Sequence, residues 1–155
     1  MIIKLLWPGK TKSPQAVSLQ EHYLRRISGL TPVRLIETPA ARGLDEKFVG
    51  KILDVEARGL EKQLKDDYIV CLFDGGQAMS SVDLARFFER RAAESKRGVV
   101  FVIGGFLGLH PRLLERADLR LSLSRMTFSH ELCRLMLLEQ IYRALSLTKG
   151  RSYAK

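Results

Sequence analysis

Five short β-like runs, each followed by a helical stretch, constrain this chain more than any other feature. They lie at 2–7, 33–37, 68–73, 99–103 and 119–122 and are rich in Val, Ile, Leu and Phe. Strand and helix alternating in this way argue for an α/β fold with a mostly parallel sheet, covered by helices on both faces. The continuous apolar character of 68–73 marks a strand buried on both sides, and 99–103 is the most β-like run in the chain.

The punctuation agrees. Pro8-Gly9-Lys10 ends the first run, and Ser13-Pro14 reads as an N-cap followed by Pro at the first helical position. That helix carries Val17, Tyr23, Leu24 and Ile27 and stops near Gly29. A second helix opens at Asp45 with Phe48, Ile52, Val55 and Leu64 expected inward. Ser80-Ser81 caps a third, bearing Leu84, Phe87 and Phe88, and Pro111 starts a short fourth through Ala117. No repeat, low-complexity segment or linker interrupts the 155 residues, so one domain, 1–155, is expected.

The last helix is the longest. Between Ser129 and Gly150 there is no Gly or Pro, and Leu132, Leu135, Met136, Leu138, Ile141, Leu145 and Leu147 recur at mostly helical spacing. An N-cap at Ser129, Glu131 in the first turn and Lys149-Gly150 at the end predict a helix over 130–147, roughly 27 Å long. Glu139, Gln140, Tyr142 and Arg143 interrupt the apolar stripe. They read either as a solvated face or, for Glu139 and Arg143 at i and i+4, as a pair able to order the tail.

Charge narrows the partners. There are 26 Lys and Arg against 17 Asp and Glu, a net +9. From Arg120 onward seven basic residues stand against two acidic ones, a net +5. A basic surface attracts phosphate backbones or anionic membranes without choosing between them. Cys71 and Cys133 sit in apolar stretches and read as reduced buried thiols, and His22, His110 and His130 are too scattered for a metal cluster. The longest apolar-plus-glycine run, 99–109, falls far short of the roughly 20 residues that span a bilayer. With no secretory leader pattern, a soluble cytoplasmic protein is the expectation.

In open parallel sheets, ligands bind beyond the carboxyl ends of the strands. The loops 74–79, 104–109 and 123–128 leave such ends and together form the candidate small-molecule site. Gly104-Gly105-Phe106-Leu107-Gly108-Leu109 lacks the dinucleotide spacing and any following P-loop Lys, so it is either a phosphate cradle of another kind or a tight turn. No nucleophile–base arrangement of a hydrolase is identifiable from spacing.

FVIGGFLGL, then LSLSRMTFSHELCRLMLLEQIYRA, then a Gly-x-x-Tyr ending, together resemble one family closely. This is the ribosomal RNA large subunit methyltransferase H family, the small single-domain branch of the SPOUT methyltransferases. The likeness extends to Gly9-Lys10, to Glu21-His22-Tyr23-x-x-Arg26 and to Ser80-Ser81. It implies a C-terminal deep trefoil knot and a homodimer in which one subunit's tail completes the other's site. It also implies S-adenosylmethionine as cofactor, contacted by Leu72, Gly104, Leu123, Ser124, Arg125, Met126, Thr127 and Phe128. The implied substrate is a pseudouridine of large-subunit ribosomal RNA, methylated at N3 on assembled ribosomes. The implied catalytic residues are Arg143, Tyr153 and Lys155, and the sulfonium methyl needs no metal to activate it.

Two positions depart from the family pattern. Its members typically end Gly-x-Pro-Tyr-His-Lys/Arg, whereas this chain ends Gly150-Arg151-Ser152-Tyr153-Ala154-Lys155, and the usual Gly-Lys after the third strand is Gly76-Gln77. The loss of His before the terminal cation leaves two other readings open. One is a ribosome-binding homologue without catalysis, and the other is a methyltransferase acting on another RNA, such as tRNA. It also leaves the proton acceptor unassigned, with His130 open to either a structural or a functional role.

Overall fold

In a computed structural model describing residues 1–94 and 97–150, β1 (Ile3–Pro8), β2 (Val33–Thr38), β3 (Tyr68–Ala78), β4 (Val99–Val102) and β5 (Leu119–Ser122) form one sheet in the order β2-β1-β4-β3-β5. Every pairing is parallel, with Leu5 opposite both Leu35 and Phe101, and Val70 opposite Phe101 and Leu119. The order puts β4, β3 and β5 side by side. Their exits, the three loops singled out above, therefore emerge next to one another.

The period-two alternation of the strands divides two cores. Ile3, Leu5, Trp7, Val70, Val99 and Phe101 meet the face covered by α1 (Pro14–Ser28), α3 (Ser81–Glu94) and α5 (His130–Thr148). Leu6, Ile69, Cys71, Val100 and Val102 face Ala57 and Leu60 of α2 (Val49–Glu61) and Leu113 of α4 (Pro111–Arg116). α5 lies between α1 and α3 and against the sheet, so it is apolar over more than one narrow stripe. Leu137, Leu138, Ile141, Ala144 and Leu145 are buried there, and each large side chain contributes roughly 1.5–3 kcal/mol.

Three expectations are corrected. The second helix begins at Val49, not Asp45, and its N-cap Phe48 makes no side-chain capping bond. Phe48 and Val55, expected inward, are exposed, because α2 covers the sheet only along Ile52, Glu56, Ala57 and Leu60. The third strand does not end at residue 73. It breaks register after Leu72, loops outward through 73–76 and rejoins β5, so Leu72 and Gln77 both pair with Leu121. Gly76 permits that return, since a Cβ there would stand 2.5 Å from the Arg120 carbonyl oxygen. Arg120 Nε in turn donates to Leu114 O at 2.9 Å, tying β5 to the end of α4.

The opposite rim is fastened by Lys4, whose ammonium contacts Asp67 at 2.7 Å, and by Arg97, which donates to the carbonyls of Asp66 and Asp67. Arg112 of α4 bridges Asp54 and Glu61 of α2 at 2.6 and 2.8 Å, anchoring the segment that follows the glycine loop. Among the described residues, no helix is long and apolar enough to cross a membrane.

Candidate active site

The three adjacent exits enclose a cavity of about 620 Å³. One wall is Leu72, Phe73 and Asp74, a second is the run from Ile103 to Leu109, and a third comprises Leu123, Ser124 and the run from Met126 to His130. Leu114 of α4 and Cys133 of α5 close the floor. Such a volume, with mostly apolar walls and a few polar groups, is that of a small-molecule site.

The glycine wall is tightly folded. Gly108 N–H donates to Gly105 O at 3.0 Å, and Gly108 has φ +83°, a left-handed conformation that a side chain disfavours. A Cβ on Gly104 would lie 2.3 Å from the Gly108 carbonyl carbon and oxygen, so residue 104 has no room for one. Behind this turn sits buried Glu56, its carboxylate against Gly105, accepting the Ala41 N–H at 3.4 Å. Burial raises its pKa above the ordinary value, partly offset by that N–H and by Arg134.

The 123–129 wall is shaped by its own hydroxyls. Ser122 Oγ lies 3.0 Å from the carbonyl oxygens of both Asp74 and Ser124, joining the first and third walls. Ser124 Oγ accepts Met126 N–H at 3.0 Å, and Thr127 Oγ1 donates to Asp74 at 3.4 Å. Ser129 caps α5, accepting Leu132 N–H. Met126 is 73% and Phe106 56% exposed, two large apolar side chains on cavity-lining loops that a ligand could cover.

Beyond this wall, α5 is pinned to the loop before α1. Glu131 accepts the N–H groups of Lys12 and Ser13, both at 3.1 Å. One turn on, Arg134 is wholly buried. Its guanidinium donates to Pro8 O at 2.8 Å and Thr11 Oγ1 at 3.1 Å, and it stacks 4.8 Å from the Trp7 ring centroid. Burial lowers its pKa to about 10, partly countered by Glu131, Glu37 and Glu56. His130, half-buried in the cavity lining, is pushed below the usual imidazole range by burial first and then by Arg134 and Lys12, against the pull of Glu131. Burial likewise raises the Cys133 thiol.

Of the residues anticipated from the sequence, Leu72, Gly104, Leu123, Ser124, Met126, Thr127 and Phe128 line the cavity. Arg125 is exposed on the same loop and stands outside the lining. Arg143 is bound to Glu139, with Nε and Nη2 at 3.1 and 3.0 Å from Oε1. It sits thirteen residues along α5 from His130, roughly 20 Å by helical rise. Tyr153 and Lys155 lie outside the described residues. Phe73, Asp74, Phe106 and Cys133 were not anticipated individually; only their places at or near strand exits signalled them.

A smaller cleft of about 280 Å³ adjoins through Leu123 and is bordered by Ser81, Met136 and Gln140. Ser81 Oγ donates to Gln140 Oε1 at 2.5 Å, and Gln140 Nε2 donates to Glu139 at 2.6 Å. Arg143 is thus connected by side-chain hydrogen bonds to that cleft.

Comparison with known proteins agrees with this architecture. A family model described as "Predicted SPOUT methyltransferase" matches residues 1–154. Ribosomal RNA large subunit methyltransferase H of Ureaplasma urealyticum is 38% identical, with all of both chains covered. The protein of that name from Thermodesulfovibrio yellowstonii is 37% identical over 97% of this chain and 96% of its own. A solved structure described as a probable methyltransferase from Bordetella pertussis shares the fold, with TM-score 0.59 and 17% identity over 92% of this chain and 95% of that one. Full-length identity at this level is a family relationship, and the chain belongs to the ribosomal RNA large subunit methyltransferase H family of SPOUT methyltransferases.

Proposed function

We propose that this protein transfers a methyl group from S-adenosylmethionine to N3 of a pseudouridine in large-subunit ribosomal RNA, on assembled ribosomes in the cytoplasm. The observation that carries the reading is the cavity built from three adjacent strand exits in a chain of this family. The whole chain, 1–155, acts as one domain, with its C-terminal part threaded as a trefoil knot.

The walls fit the cofactor. Leu72, Leu123, Met126 and Phe128 supply apolar surface, and the closely folded Gly104–Gly108 turn presents backbone edges at which an adenine can pair. Asp74 adds a carboxylate for the positive groups of the ligand. When bound, S-adenosylmethionine supplies an activated methyl group on a sulfonium. The residues of the chain hold the ligand, exclude water and orient the target base so that nucleophile and methyl carbon are in line. Arg125, on the cavity rim loop, serves the cofactor or the incoming RNA backbone.

Arg143, Tyr153 and Lys155 act in the cavity of a partner subunit within a homodimer. Leu132, Met136, Glu139, Arg143 and Leu147 follow one stripe of α5 at helical spacing, and Leu132 and Leu147 are exposed. An apolar stripe carrying Arg143 suits an α5-mediated dimer, bringing that cation to a second copy. There it steadies the imidate oxygen of the target base and contacts phosphate.

The test is methyl transfer from labelled S-adenosylmethionine to large subunits and 70S ribosomes from a strain lacking the protein. The modified nucleoside is then identified by mass spectrometry. Label in N3-methylpseudouridine, with ribosomes the better acceptor, is expected. Label in another nucleoside, or none despite cofactor binding, would refute the assignment.

A further inference from the structure

N3 of a pseudouridine is an imide nitrogen, and it must lose a proton to accept a methyl group. Ala154, beside the terminal cation Lys155, carries no group that could accept that proton. Among the described residues, three titratable side chains line the large cavity: Asp74, His130 and Cys133. Carboxylates as a class are weak acceptors for an imide proton, because base catalysis works best with groups that titrate near neutrality. Cys133 is held as a thiol by burial, with its sulfur 3.9 Å from Phe128 O. His130 differs from both. It is half-buried in the lining and makes no hydrogen bond to any described residue, leaving its ring nitrogens available.

Resting on the function proposed above, we propose that His130 is the proton acceptor of this site. The neutral imidazole takes the N3 proton. The freed N3 electron pair forms the new bond to the methyl carbon, and the carbon–sulfur bond breaks with its pair going to sulfur. The products are N3-methylpseudouridine, S-adenosylhomocysteine and an imidazolium, which returns its proton to solvent.

The surroundings suit that cycle. Burial first, then Arg134 from α5 and Lys12 from the loop before α1, disfavour a resting positive charge on the ring. Glu131 on α5 opposes them and is itself fixed by the Lys12 and Ser13 N–H groups, so it steadies the imidazolium without capturing its proton. Asp74 and Cys133 are the titratable groups elsewhere in the lining, and the 103–109 wall carries none. The second row, Glu37 and Glu56, acts on Arg134. The sign follows: the imidazole is competent above its pKa, and transfer is lost as pH falls through a value below the usual histidine range.

The experiment is single-turnover methyl transfer to unmodified ribosomes at saturating S-adenosylmethionine, from pH 5.5 to 9, for wild type, His130→Gln and His130→Ala. Cofactor affinity is measured separately by equilibrium dialysis. Wild type should rise with pH at unit slope and then level. His130→Gln should be slower by about 100-fold or more at neutral pH and lose the levelling, with cofactor affinity within about threefold. Added imidazole should restore part of the rate of His130→Ala. Equal rates and an unchanged pH curve in His130→Gln would overturn the inference while leaving the methyltransferase reading intact. So would a loss explained wholly by weaker cofactor binding, or no rescue by imidazole in a folded His130→Ala protein. Failure of wild type to label the RNA at any pH would overturn both.

Discussion

At the scale of single residues, Arg134 is the most instructive. A cation inside an apolar helical run reads as a surface charge, yet this one is among the most deeply buried side chains in the molecule. Its partners are a carbonyl at the end of β1, a hydroxyl three residues on and the face of Trp7, all more than 120 positions away in sequence. Nothing local announces such a site. Thr11 extends the cluster by donating to Gln20 at 2.7 Å, so the loop between β1 and α1 has its shape set by α5. Arg134→Met should therefore destabilise the fold by about 2–3 kcal/mol, through two buried acceptors left without donors. Urea denaturation checks this, and a cost below about 0.5 kcal/mol would show that the loop does not depend on the guanidinium.

At the scale of elements, the strands and their exits were legible because a parallel α/β chain writes its period and punctuation into the sequence. Pro8-Gly9, Gly29, Ser80-Ser81 and Pro111 all fall at or within a residue or two of element ends. The return of β3 after 73–76 was not legible, since pairing of Gln77 with Leu121 is decided by a strand over forty residues later. The start of α2 was missed for a related reason: Asp45 accepts the Lys47 N–H in a local turn, and the helix opens only after Phe48. The glycine turn gives a sharp prediction. Gly104→Ala should weaken cofactor binding at least tenfold, because its Cβ would overlap the Gly108 carbonyl. Gly50→Ala, in α2 where a Cβ meets nothing within 4 Å, should bind normally and gain about 0.5–1 kcal/mol of stability. Calorimetric titration with the product S-adenosylhomocysteine, beside thermal melts, separates the two.

At the scale of the whole molecule, Arg143 poses the question of what a functional unit is. Helical rise alone makes it remote from its own cavity, but no pattern in one chain can say which copy it serves. A mixing experiment can. Gly104→Ala protein lacks a working cavity and keeps Arg143, whereas Arg143→Ala protein has the reverse defect. If the cation acts across a dimer, remixing equal amounts should restore about a quarter of wild-type methylation, because half the dimers then hold one intact site of two. If it acts within one chain, the mixture stays as inactive as its parts.

The sheet order has one more consequence. β3 meets both β4 and β5, and the cavity draws its walls from the segments 72–74, 103–109 and 123–133. None of these walls encloses anything alone, and the last to emerge during synthesis is the start of α5. A growing chain therefore cannot hold the small molecule until it is nearly complete. Occupancy becomes a certificate of finished assembly: the ligand stabilises only molecules in which β3, β4 and β5 have found one another.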